Sequence, residues 1–123
     1  MTYVGIDIVQ ELVAENNERY KNDRCRFIVG DITQDPLPPG HLLICRDCLF
    51  HLSYKDIFLV LKNFVESGSD FLLTSTHLKP ELAFNRDIVV GDFRIIDLLT
   101  EPFCFSENVL YRRVQAKGTL SCR

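Results

Sequence analysis

The first 30 residues change hydrophobic period twice, and no other feature restricts the fold of this chain as much. Tyr3 to Ile8 is a short, apolar, β-prone run, which reads as a buried strand rather than a half-exposed one. From Val9 the apolar residues fall at Val9, Leu12, Val13 and Tyr20, while Glu11, Glu15, Glu18 and Lys21 take the other face. That spacing predicts an amphipathic helix of about three turns. Asn22 and Asp23 break it, and Arg26 to Gly30 reads as the next strand. Strand, helix and strand in so short a space make a βαβ unit, with parallel strands and a right-handed crossover.

The alternation continues downstream. Pro36, Pro38 and Pro39 rule out a regular helix and mark a surface loop. His41 to Cys45 is a third apolar strand. Ser53 is placed to cap a helix, with Asp56 completing a capping-box-like pair. Behind it Ile57, Phe58, Leu61, Phe64 and Val65 keep helical spacing, and Gly68 supplies the stop. Phe71 to Thr76 is a fourth strand. After His77 the rhythm weakens: the stretch to Asn108 has strand-like pieces, a Gly91-Asp92 turn signal and Pro102, but no helix. The tail from Val109 adds one or two strands. Residues 1–123 therefore read as one α/β domain, an open, mostly parallel sheet covered by helices and followed by an irregular C-terminal third.

At 123 residues such a domain buries roughly two-thirds of its unfolded surface. A formal charge of −3 gives no basic footprint for a phosphate backbone, so nucleic acid is disfavoured as a main partner. The sequence holds no apolar run long enough to span a bilayer, no signal pattern and no lipidation motif, and the expected location is cytoplasmic. The five cysteines, at 25, 45, 48, 104 and 122, are an odd set read as reduced thiols rather than a disulfide framework.

Ligands of open parallel sheets bind beyond the carboxyl ends of the strands. Asp7 stands there after the first strand, Asp31 after the second, and Arg46 and Asp47 after the third, with His51 a few positions on. A carboxylate accepts without donating, so at a strand end it suits a vicinal diol such as a ribose. Asp31 is placed to accept from an exocyclic amine, with Ile32 as an apolar wall. The competing reading is that these aspartates only cap helices or start turns. Likewise His51 is either a proton acceptor, since imidazole exchanges a proton near neutral pH, or a helix-entry residue without chemistry. Phe93, Phe103 and Phe105 read as core before substrate box.

The ordered set "YVGIDIV", "FIVGDIT" and "LLICRDCLFHLS" resembles the middle motifs of class I S-adenosylmethionine-dependent methyltransferases. The nearer resemblance is to a mostly uncharacterised bacterial and phage group. In that group an "NRDI…GD(W/F)R…NL…PF" segment follows the fifth strand, and here it corresponds to Asn85–Ile88, Gly91–Arg94, Asp97-Leu98 and Pro102-Phe103. The likeness covers about residues 3 to 105. It implies that Asp7, next to Ile8, binds the ribose hydroxyls of S-adenosylmethionine. Asp31 would hold the adenine amine, with Ile32 against the ring. Cys45, Arg46, Asp47 and Cys48 would line the methionine part, and His51 would be the catalytic candidate near the acceptor.

The chain departs from that family at the front. The family's first strand and its glycine-bearing turn have no counterpart, and Gly30, Gly40, Gly68 and Gly91 stand alone. In the family's sheet that strand lies between those represented by Tyr3–Ile8 and His41–Cys45. The expectation is a Rossmann-like sheet incomplete at the N-terminus, with two buried strand edges unpaired or joined directly. Methyl transfer to an unknown, small-molecule acceptor is one functional expectation. A non-catalytic remnant that self-associates or pairs with a partner chain through its open edges is the other. Cys45, Cys48 and His51 also have the letters of a zinc site, but a closed site needs a fourth ligand. A thioredoxin-like use of the two cysteines lacks the helix-start context at Cys45.

Overall fold

The computed structural model describes residues 1–77, 84–106, 112–114 and 119–122. Its elements run β1 (Tyr3–Asp7), α1 (Gln10–Tyr20), β2 (Cys25–Val29), β3 (Leu42–Cys45), α2 (Tyr54–Glu66), β4 (Phe71–His77), β5 (Arg112–Val114) and β6 (Thr119–Cys122), with a 3-10 turn at Leu49–His51 before α2. The architecture is the expected Rossmann-like α/β sheet, with parallel β1–β2 and β3–β4 pairs. β6 runs antiparallel to both β4 and β5. The two strands read in the tail are thus present, whereas residues 84–106 form turns and irregular chain, not strands.

Local signals account for the helix ends. Ser53 Oγ accepts from Asp56 N–H at 3.2 Å and donates to the Asp56 carboxylate at 2.8 Å, which closes the first turn of α2. Gly68 ends the helix at φ +70°, a conformation open to glycine at little cost. α1 starts without a side-chain cap at Val9. Asp7 Oδ1 accepts from Val9 N–H instead, so the end of β1 organises the entry to the helix.

The sheet is split. One part is β1–β2 and the other is β3–β4–β6–β5, and β1 does not pair with β3. Tyr3 N–H bonds Arg24 C=O, and Gly30 N–H bonds Asp7 C=O. By alternation, the backbone groups of Val4 and Ile6 therefore face away from β2. In the same way Phe71 N–H bonds His41 C=O, which leaves the groups of Leu42 and Ile44 on the far side of β3. The expectation of unpaired edges holds, but the expectation that they are buried does not. Leu42 is 43% and Ile44 57% exposed, and in β1 Tyr3 is 50% exposed with only Gly5 buried. Two strands and one helix offer too little cover to bury β1.

The outer edge of β2 is closed differently. The Asn17 carboxamide donates to Phe27 C=O at 2.8 Å and accepts from Phe27 N–H at 2.9 Å, standing in for the peptide group of a further strand. The main core lies around α2. Ile57 and Val60 pack with Leu49, Phe50, Ile96, Leu98 and Phe103, and Cys45 and Leu72 face the same cluster from the sheet. Among the described residues, no helix is long and apolar enough to cross a membrane.

Candidate functional site

Asp7 closes β1 with one carboxylate oxygen committed. Oδ1 holds Val9 N–H at 2.9 Å, while Oδ2 has no partner among the described residues. Ile8 beside it is 66% exposed, an apolar side chain standing free at the strand end. Asp31 is more occupied. Its Oδ1 accepts from Thr33 N–H at 2.9 Å and Thr33 Oγ1 at 2.7 Å, and its Oδ2 accepts from Gln34 Nε2 at 3.0 Å. The Thr33 hydroxyl and then the Thr33 amide hold the Asp31 carboxyl below the usual carboxylate range. Its own amide donates to Asp35 Oδ2 at 2.8 Å. The turn after β2 is thus built on Asp31, and Oδ2 has one remaining acceptor direction. Ile32 packs against the core cluster, and its carbonyl accepts from Asn63 Nδ2 of α2 at 2.9 Å.

After β3 the chain turns sharply. Asp47 sits at φ +53°, and its amide donates to the buried Ser75 hydroxyl at 2.7 Å. Arg46 and Asp47 form an exposed ion pair at 3.2 Å. Cys45 is buried and Cys48 half-buried, and neither is in a disulfide. A hydrogen bond between the two thiols lowers Cys48 to about 7 and pushes Cys45 upward, with burial adding to the rise. Asp7 opposes the fall at Cys48 through its charge, which puts the carboxyl ends of β1 and β3 within electrostatic reach of each other. No group of three or more His, Cys, Asp or Glu side chains able to hold a metal occurs among the described residues.

His51 ends the 3-10 turn with its ring exposed. Its Nδ1 lies 3.1 Å from Asp92 C=O, an atom that can only accept, so the proton belongs on Nδ1 and the lone pair on Nε2. That tautomer follows from the partner, and it is the one a general base needs. The turn is held from the 84–106 segment: Gly91 N–H bonds His51 C=O, and Arg94 N–H bonds Phe50 C=O. Arg94 is 2% exposed, and its Nη1 donates to Leu52 C=O at 2.6 Å and Leu49 C=O at 3.2 Å. Asp87 Oδ1 accepts from Tyr54 N–H at the start of α2, and Asn85 brackets Asp97 with both ends of its amide.

The polar residues of that segment thus work as fasteners for the turn that carries His51. Two ring residues that sequence reading did not single out join it. Phe50 packs beneath His51 at 4.7 Å between ring centroids, and His77, the last residue of β4, reaches Phe50 at 5.2 Å. Phe103 is core, as read from the sequence, and Phe105 packs on that core. Phe93 is not; it is 51% exposed and lies 5.8 Å from the His51 ring. The structure therefore brings Asp7 toward Cys48 and His51 toward Phe93, and leaves Asp31 within its own turn. The signal for His77 was its place at the end of the fourth strand, the position that drew attention to the three aspartates.

No protein-family model matches the chain, and no curated protein matches it. Solved structures do. A TehB-like SAM-dependent methyltransferase from Corynebacterium glutamicum superposes with a TM-score of 0.59 at 17% identity, over 98% of this chain. The DhpI–SAH complex superposes with a TM-score of 0.57 at 18% identity, over 99% of it. The fold is that of the SAM-dependent methyltransferases. The chain spans 66% and 65% of the lengths of those two proteins.

Proposed function

We propose that this domain binds S-adenosylmethionine and belongs to a methyl-transfer system acting on a small-molecule acceptor. The observation that carries the reading is Asp7: within this fold, it ends a parallel strand with one carboxylate oxygen unengaged and an exposed apolar residue at its side. Those features fit a ribose diol and the face of a nucleoside. Asp31 would offer its remaining acceptor direction to the adenine amine, with Ile32 behind it. The segment Cys45–Cys48, including Arg46 and Asp47, would border the methionine part. When bound, the cofactor supplies a methyl group on a sulfonium sulfur, ready for in-line displacement. His51 would take the acceptor's proton at Nε2 while Asp92 C=O holds Nδ1–H. The protein's remaining work is alignment and exclusion of water.

Calorimetric titration of the purified chain with S-adenosylhomocysteine tests this. Micromolar binding is expected, weakened about tenfold or more by Asp7→Ala and less by Asp31→Ala, whose carboxylate is largely spent on its own turn. A folded chain that shows no binding overturns it. The split sheet favours a second reading, an association module whose β1 and β3 edges accept a strand from another chain or from a second copy. Sedimentation across a concentration series tests the second-copy form, and a monomer throughout removes it.

A further inference from the structure

We propose that the four-ring cluster beyond β3 and β4 is a binding site for an uncharged aromatic compound bearing a hydroxyl, held between His51 and His77. Phe50, His51, His77 and Phe93 form one cluster. Phe50 and Phe93 are 5.5 Å apart edge to face, and Phe93 reaches His51 at 5.8 Å and His77 at 6.4 Å. Phe50 is buried and anchors the group, while Phe93 stands half-exposed as an apolar platform for a flat ring.

The two imidazoles have complementary faces. His51 has its proton on Nδ1, so Nε2 accepts. His77 is the reverse. Ile96 N–H points at its Nδ1 at 3.4 Å, so the lone pair is there and Nε2–H donates. Among the described residues neither Nε2 has a partner. One acceptor and one donor on the same cluster match a hydroxyl group, which donates to His51 and accepts from His77.

The charged residues next to the cluster have hydrogen bonds of their own. Arg94 spends Nη1 on Leu49 and Leu52 carbonyls, and Asp92 Oδ1 accepts from Phe93 N–H. The acceptor–donor pair of imidazoles fits a hydroxyl rather than an ionic group, which is why the preferred compound is neutral. That this compound is the methyl acceptor rests on the reading of the preceding section. In that case the O–H proton passes to His51 Nε2 and the C–O bond forms as the methyl–sulfur bond breaks. The bonding pair stays on sulfur, and His51 later returns the proton to solvent.

The test uses the intact chain without cofactor and two chromophoric probes, 4-nitrophenol and 4-nitroanisole, which differ only in the hydroxyl hydrogen. At a pH below the free phenol's own ionisation, 4-nitrophenol should bind about tenfold tighter than 4-nitroanisole. His51→Phe should remove the preference for 4-nitrophenol over 4-nitroanisole while both still bind, a split that a merely structural role would not produce. His77→Phe should weaken 4-nitrophenol and 4-nitroanisole alike, since both oxygens can accept from Nε2–H, and Phe93→Ala should also weaken both. Equal binding of the two probes by the native chain, or none, overturns the proposal without reference to any variant. S-adenosylhomocysteine binding measured in parallel separates the failures. Cofactor binding without phenol selectivity sinks only the aromatic site. Phenol selectivity without cofactor binding upholds that site and sinks the methyltransferase reading.

Discussion

Two strand–helix–strand units make up the parallel part of this molecule, β1–α1–β2 and β3–α2–β4, and they share a connectivity without sharing a way of being packed. In α2, Ile57 and Val60 are fully enclosed, because the 84–106 segment brings Ile96, Leu98 and Phe103 over the helix. In α1 only Val13 is buried, and Leu12 is 41% exposed. The first unit relies on the Asn17 bridge to Phe27 and on ring contacts of Phe27 with Tyr3 at 5.8 Å and Tyr20 at 6.4 Å. A βαβ unit is thus a topology before it is a stable body; its stability depends on what lies across from its helix. The proposed roles divide along the same line. The nucleoside-side candidates Asp7 and Ile8 stand on the thin unit, and the acceptor-side candidates His51 and His77 stand on the packed one.

The largest effect should separate the units directly. Ile57→Ala is expected to cost about 3–4 kcal/mol, and Leu12→Ala under about 1 kcal/mol, since only the former opens an enclosed cavity. Urea denaturation of both variants checks this, and equal losses would break the contrast. Arg94→Ala comes next, at about 2–3 kcal/mol, because it strips the donor from two carbonyls beside the core. The same change should release the His51 turn, visible as faster amide hydrogen exchange at Gly91 and His51 than at Phe27. Within the thin unit, Asn17→Ala should cost about 1–2 kcal/mol and act locally, exposing the Phe27 amide to exchange. The smallest effect links the two units. Cys48 alkylation should climb as pH rises through about 7, and Cys45→Ala should move that midpoint upward by removing the thiol that stabilises the thiolate. Asp7→Asn should shift it slightly the other way. No shift with Asp7→Asn would mean that the two strand ends are not neighbours in solution.

Much of the fold was legible residue by residue. The 3.6-residue period behind Ser53, the Ser53–Asp56 pair and the stop at Gly68 specify α2, and the structure shows that cap and that stop. The continuous apolar runs specify four parallel strands within a residue or two of where they lie. Burial of β1 did not follow, because an apolar run states what a strand could bury and not whether anything arrives to cover it. The candidate site was legible as a row of strand ends. Its finer chemistry was not. Whether Asp31 serves its own turn, Arg94 a pair of distant carbonyls, or His77 the ring of Phe50 depends on residues 20 to 45 positions away or on loop conformation.

The sequence by itself determined the order and type of the elements and which side chains stand at the carboxyl ends of the strands. Those follow from interactions within a few residues: hydrophobic period, capping and turn chemistry. Only the tertiary structure decided which edges pair, which aspartate keeps a free oxygen, which tautomers suit His51 and His77, and that Phe93 faces outward while Phe103 faces in. Each of those is a competition among partners brought together by chain closure, and its outcome is set by geometry that no local window contains.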